Sequence, residues 1–176
     1  MAIQAFAIPS SLSWSNYTIT SHRIQDPHDG QLQDCVTNFE WFLTPNLQAV
    51  QQGNQFRMNA SMRVEIKPNN CRVWSGANKT AALLSHEQFH YDVPFAIARV
   101  VASKLNSLRA PSISELRRKI AEITLLHFTT RNELIQKRYD IDTRHSTNAR
   151  YQRIWKNRMT TVLADPQANQ IGGFWL

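Results

Sequence analysis

The hydrophobic periodicity of this chain changes once, near residue 75, and that change sets what it can fold into. Before it, short stretches rich in β-branched and aromatic residues alternate with turn residues, so residues 15–20, 35–42 and 55–66 read as strands. The last alternates most strictly. Phe56, Met58, Ala60, Met62, Val64 and Ile66 share one side, and polar residues the other, as in a half-buried antiparallel strand. Residues 26–30 and 67–70 carry turn chemistry. After Gly76 the spacing becomes helical. A first helix is predicted from about residue 79 to 91. Pro94 should interrupt it, because proline lacks an N–H and clashes with the preceding turn. The chain would kink or restart there, with Asp92 as a cap. Ser112 and Glu115 form a capping-box signature. The helix they open has an apolar stripe at Ile113, Leu116, Ile120, Ile123 and then Leu134, reaching Tyr139. A final amphipathic helix should span 147–163, ended by Asp165-Pro166. The expectation is an α+β fold in one domain. Residues 10–75 supply an antiparallel sheet that packs on the first helix, and residues 76–165 supply the helices.

Composition removes several classes. At 176 residues the chain suits a single domain, and 42% hydrophobic with 19% charged residues argues against wholesale disorder. No apolar run approaches a membrane span. The net charge of +7 invites an acidic partner, yet the basic residues are scattered over Arg117-Arg118-Lys119, Lys137-Arg138 and residues 150–158. Aromatics do not interleave with them, so they read as solvated helix faces and no nucleic-acid partner is expected. Cys35 and Cys71 have no close Cys or His neighbours, which argues against a cysteine-type zinc site and leaves a disulfide between them open. Residues 1–9 show neither a basic n-region nor a clear cleavage site, so no signal peptide is visible.

The chemistry-bearing element is His86-Glu87-Gln88-Phe89-His90. Histidines at i and i+4 of a helix sit one above the other on one face, so both imidazoles can reach a single zinc ion. Glu87 is offset by about a quarter turn, where its carboxylate can take a proton from a water at the metal without displacing a ligand. Two histidines and a water leave zinc one protein ligand short. The extended pattern with a glycine three residues and a third histidine six residues after His90 is missing, since Val93 and Ala96 stand there. Glu115, Glu122 and Glu133 offer carboxylates on later helices. His127 falls on the apolar stripe and reads as a core histidine. His145 lies in a polar junction, and His22 and His28 read as bystanders.

The combination of Leu84-Ser85-His86-Glu87-Gln88-Phe89-His90-Tyr91-Asp92 with Tyr139-Asp140-Ile141-Asp142-Thr143-Arg144-His145 resembles a bacterial family of unknown-function domains described as predicted secreted zinc-dependent proteases. Leu12-Ser13-Trp14 and Trp155 fit the same pattern. This chain departs from it at Asp142, where the family has Glu, and at Ser146, where it has Gly. The resemblance implies a zincin-like fold, a Zn2+ cofactor and a secreted or periplasmic location. It implies a site of His86, His90 and His145 as metal ligands with Glu87 as general base. Asp92 and Asp140 would then support ligand imidazoles from behind, and Tyr139 or Tyr91 would donate to a developing oxyanion. The implied activity is hydrolysis of peptide bonds in a protein or peptide substrate. A non-catalytic zinc-containing scaffold of the cell envelope and a cell-wall peptide amidase are the alternatives.

Overall fold

In a computed structural model, the structure describes residues 9–26, 30–44, 48–58 and 63–176. The described residues of the N-terminal part hold nine short strands: β1 (Thr18–Thr20), β2 (Ile24–Gln25), β3 (Leu32–Gln33), β4 (Cys35–Val36), β5 (Phe39–Thr44), β6 (Ala49–Gln52), β7 (Gln55–Met58), β8 (Arg63–Pro68) and β9 (Arg72–Trp74). The strand expected over 55–66 is represented by β7 and β8, with 59–62 outside the described residues. Its alternation holds: Met58 and Ile66 are buried while Arg63 and Glu65 are exposed. The expected purely antiparallel sheet is corrected at one pair. β4 joins β9 antiparallel, but β1 joins β9 in parallel, with Ile19 opposite Val73. Parallel pairing needs a long connection, and residues 21–71 provide it. β5–β8, β6–β7 and β2–β3 are separate antiparallel pairs. Residue 28 and most of the 26–30 turn lie outside the described residues.

Helix α1 (Ala81–Ser107) carries the motif and packs against β8. It starts where Thr80 accepts a hydrogen bond from the Leu83 N–H, a side-chain cap that satisfies an orphan donor. The break predicted at Pro94 does not occur. The helix continues for 27 residues with Pro94 inside it, and Val93, Ala96, Ile97 and Val101 are fully buried around the proline. Tertiary packing of that face outweighs the missing hydrogen bond, since helical stability in proteins comes mostly from burial. Asp92 therefore caps nothing; its Oδ1 accepts from Gln88 Nε2 at 2.7 Å.

The predicted Ser112 cap is present, accepting from the Glu115 N–H at 3.1 Å, and opens α2 (Ile113–Leu125). Residues Leu126–Arg131 then form a π-helical turn that leads into α3 (Asn132–Thr143). A wider turn adds a residue and rotates everything after it by about a quarter turn relative to an unbroken α-helix. Leu134, expected on the buried stripe, is consequently 55% exposed, while Phe128, Ile135 and Tyr139 are buried. The same rotation turns Asn132, Gln136 and Asp140 inward.

Helix α4 (Ala149–Ala164) matches its predicted span and is followed by a hairpin of β10 (Gln170–Ile171) and β11 (Phe174–Trp175). That hairpin had a sequence signal in Gly172-Gly173, both at positive φ. One apolar cluster runs from Leu12, Tyr17 and Val73 through α1 to Trp155 and Leu176, so the β-rich and helical subregions share a core. Cys35 and Cys71 are buried free thiols, and Cys71 Sγ donates to the Asn38 carbonyl. No described helix is long and apolar enough to cross a membrane.

Candidate metal centre

His86 and His90 project from the N-terminal part of α1, and Asp140 reaches them from α3. His86 Nε2 lies 3.0 Å from His90 Nε2, and Asp140 Oδ1 lies 3.2 Å and 3.0 Å from the two rings. Asp140 Oδ1 is buried and has no hydrogen bond of acceptable geometry despite these close approaches. Donor atoms held about 2.0–2.1 Å from one tetrahedral ion sit about 3.3 Å apart. The three atoms therefore fit a divalent cation, and they are the donor types zinc accepts. His86, His90 and Asp140 could hold a metal ion.

Surrounding contacts aim the rings. His90 Nδ1 donates to Gln136 Oε1 at 2.5 Å, and Gln136 Nε2 returns to the His90 carbonyl at 2.9 Å. That leaves Nε2 of the neutral ring with its lone pair toward the cluster. Gln136 is braced in turn by Asn132 Oδ1. The His86 ring stacks on Tyr139 at 4.7 Å, and Tyr139 stacks on Phe89 at 3.8 Å, so packing fixes that imidazole. Burial favours the neutral His86 ring and lowers its pKa. Burial presses His90 the same way, but the Asp140 carboxylate, aided by Glu87 and Gln136, overcomes it and raises the pKa to about 9. Burial also opposes ionisation of Asp140, yet the two imidazoles hold its carboxyl well below the usual range.

Glu87 is 2% exposed and faces the same cavity of about 140 Å3, together with Cys35, Thr37, His90 and Asp140. A larger cavity of about 320 Å3 lies on the other face of α1, beside Leu84, Gln88, Asp92 and Met159. It contains none of the converging donors, so the chemistry belongs to the smaller one. Burial raises the Asp92 pKa to about 6, against the pull of Gln88 and Lys156.

The structure thus brings His86, Glu87 and His90 together as the motif predicts. The third close donor is Asp140, which the resemblance placed in a supporting role. His145 stands next to it, with Nδ1 3.9 Å from Asp140 Oδ1, and groups with Asp140 and Asp26 instead. Gln33 Nε2 contacts His145 Nδ1 at 2.9 Å and also donates to Asp26 Oδ2. Glu115 and Glu122 pair with Arg118 on the α2 surface, and Glu133 is exposed, so those carboxylates are away from the cluster. Tyr91 reaches the Ile66 carbonyl, and Tyr139 serves as a stacking partner. Asp142 accepts from Trp155 Nε1 at 3.0 Å and pairs with Arg138.

Against known proteins, no family model, curated protein or solved structure matches this chain. The site therefore rests on its own geometry. Sequence reasoning missed Thr37, Gln136 and Asn132. Thr37 carried no motif signal, and the two amides were hidden by the π-helical turn that rotates them inward.

Proposed function

We propose that this chain is a zinc-dependent peptidase with a zincin-like fold, in which His86, His90 and Asp140 hold the metal and Glu87 is the general base. The observation that carries the reading is the convergence of two Nε2 atoms and the buried Asp140 Oδ1 within 3.0–3.2 Å, with a second buried carboxylate beside them in one cavity. A zinc ion held by His86, His90 and Asp140 would supply Lewis acidity, polarising a substrate carbonyl and lowering the pKa of a water toward neutrality. Glu87 takes the water's proton as the oxygen attacks the carbonyl carbon, and passes that proton to the nitrogen as the C–N bond breaks. Gln136 keeps His90 in the tautomer that offers Nε2.

Two imidazoles and one carboxylate also suit a ferrous ion. Glu87, next in sequence to a ligand and facing the same cavity, favours hydrolysis, because it supplies the base that peptide cleavage requires. Metal analysis of the purified protein separates the two ions. With fluorogenic casein as substrate, Glu87→Gln should keep the metal and lower hydrolysis by about 10²–10⁴-fold. Undiminished cleavage by that variant would remove Glu87 from the mechanism.

A further inference from the structure

The hydrogen bonding of Glu87 runs away from the metal cluster and into the β-rich subregion. Its Oε2 accepts from Thr37 Oγ1 at 2.6 Å, and Thr37 Oγ1 lies 2.7 Å from the Tyr17 hydroxyl. Thr37 sits between β4 and β5 on the wall of the same cavity. The direction of the protons follows from the groups. An ionised carboxylate only accepts, so Thr37 donates its one proton to Glu87; Tyr17 must then donate to Thr37. Tyr17 and Glu87 are both buried, and water does not readily replace either bond. Burial, followed by the Glu87 charge, raises the Tyr17 pKa and keeps its proton in place for this chain.

A carboxylate side chain on a helix has several rotamers, and only some aim an oxygen at the metal. A donor at 2.6 Å selects among them. We propose that Thr37 is a positioning residue for Glu87: by tying down Oε2, and with Tyr17 orienting the Thr37 hydroxyl from behind, it reserves Oε1 for proton transfer at the metal. This inference rests on the peptidase reading. When Glu87 is protonated during turnover, the proton goes to Oε1 and the Thr37 bond to Oε2 is kept, so no side chain has to rotate within the cycle. The arrangement also explains why a Thr between two strands faces a catalytic cavity. Its methyl packs like valine's, but only the hydroxyl meets the carboxylate.

The test uses the zinc-loaded full chain with fluorogenic casein, comparing wild type with Thr37→Val, Thr37→Ser and Tyr17→Phe. Thr37→Val should lower kcat by about 10- to 100-fold, since misplacing a reacting group by about 1 Å costs that much. KM should stay within about twofold, because a group acting only in the transition state does not move it. Zinc content should stay equal to wild type. Thr37→Ser restores the donor and should recover most of kcat. Tyr17→Phe should lose only about threefold, since Thr37 keeps its own proton to give. Thr37→Ala, which also lacks the hydroxyl, repeats the test if the Val variant does not fold. Wild-type kcat in the hydroxyl-free variants would overturn the role; so would a Ser variant as impaired as they are, or loss of zinc. If zinc-loaded wild type cleaves neither casein nor a random peptide library, the peptidase reading falls separately. Crystal structures of the zinc-bound wild type and Thr37→Val then decide the positioning: a Glu87 carboxylate turned from its place supports it, and an unmoved one overturns it.

Discussion

Two regions of this molecule bury helical histidines and treat them in opposite ways. His127, on the π-helical turn, is 1% exposed, and its Nδ1 lies 2.9 Å from the Leu176 carbonyl oxygen. Burial, then the charge of Arg131, lowers its pKa to about 4, so it is a neutral core residue with an answered ring nitrogen. His86 is equally buried, but its Nε2 faces both His90 Nε2, at 3.0 Å, and the buried Asp140 Oδ1, at 3.2 Å. There the nearby Asp140 moves His90 upward, to about 9. The contrast shows that depth alone does not mark a metal site. What marks it is several donor atoms brought together with nothing between them.

The largest expected effect tests whether Asp140 belongs to that group. Asp140→Ala should weaken zinc binding by more than about 100-fold, beyond what loss of a supporting contact costs, whereas His145→Ala should cost about 10-fold or less. Competition with a chromophoric chelator measures both. His127→Gln serves as the control and should leave zinc affinity unchanged. If His145→Ala lost zinc as completely as Asp140→Ala, His145 would return to the ligand set, and the division drawn between Asp140 and His145 would fail.

How far the sequence could go follows from the same contrast. The motif was legible because i and i+4 on a helix fix two rings on one face whatever surrounds them. The Ser112 cap, the α4 span and the core assignment of His127 were legible for similarly local reasons. The interruption expected at Pro94 was wrong, because a proline's local cost is visible in sequence while the burial of Val93, Ala96 and Ile97 around it is not. The change from Leu134 to Ile135 as a core position arises from the π-helical turn at 126–131, which no periodicity in the segment announces. That turn also decides which of Asp140 and His145 comes closest to the motif. Long-range pairs such as Thr37 with Glu87, or β1 with β9, depend on the assembled fold and carry no local signal.

The next effect is smaller and belongs to His127. Its folded pKa of about 4 lies below the value near 6.5 expected in the unfolded chain, so the unfolded state binds the proton more readily in between. Its contribution is therefore complete above pH 6.5 and is lost as pH falls toward 4, by up to about 3 kcal/mol. Asp92, raised to about 6, works in the opposite direction over part of this window. Comparing wild type with His127→Gln cancels that term. Urea unfolding between about pH 7 and 4.5 should show a gap between the two proteins that closes on acidification. It should do so with and without zinc, which separates this histidine from the metal pair. A gap independent of pH would mean that His127 is not held neutral by its burial.

The smallest effect concerns the backbone under His145, the histidine that belongs to neither setting. Arg144, His145 and Ser146 follow α3 with φ of 48°, 48° and 75°, three successive left-handed residues without a glycine. Each such residue strains against its own Cβ, by roughly 1–2 kcal/mol. Ser146→Gly removes that strain but also frees the unfolded chain, which offsets part of the gain. The net expectation is stabilisation by about 0.5–1 kcal/mol in chemical denaturation. Zinc affinity should not move, because His86 and His90 stand on α1 and Asp140 on α3, ahead of the turn. If the freer backbone weakened zinc binding instead, the turn would be holding His145 against the metal. The three-atom group around Asp140 would then have to be enlarged to four.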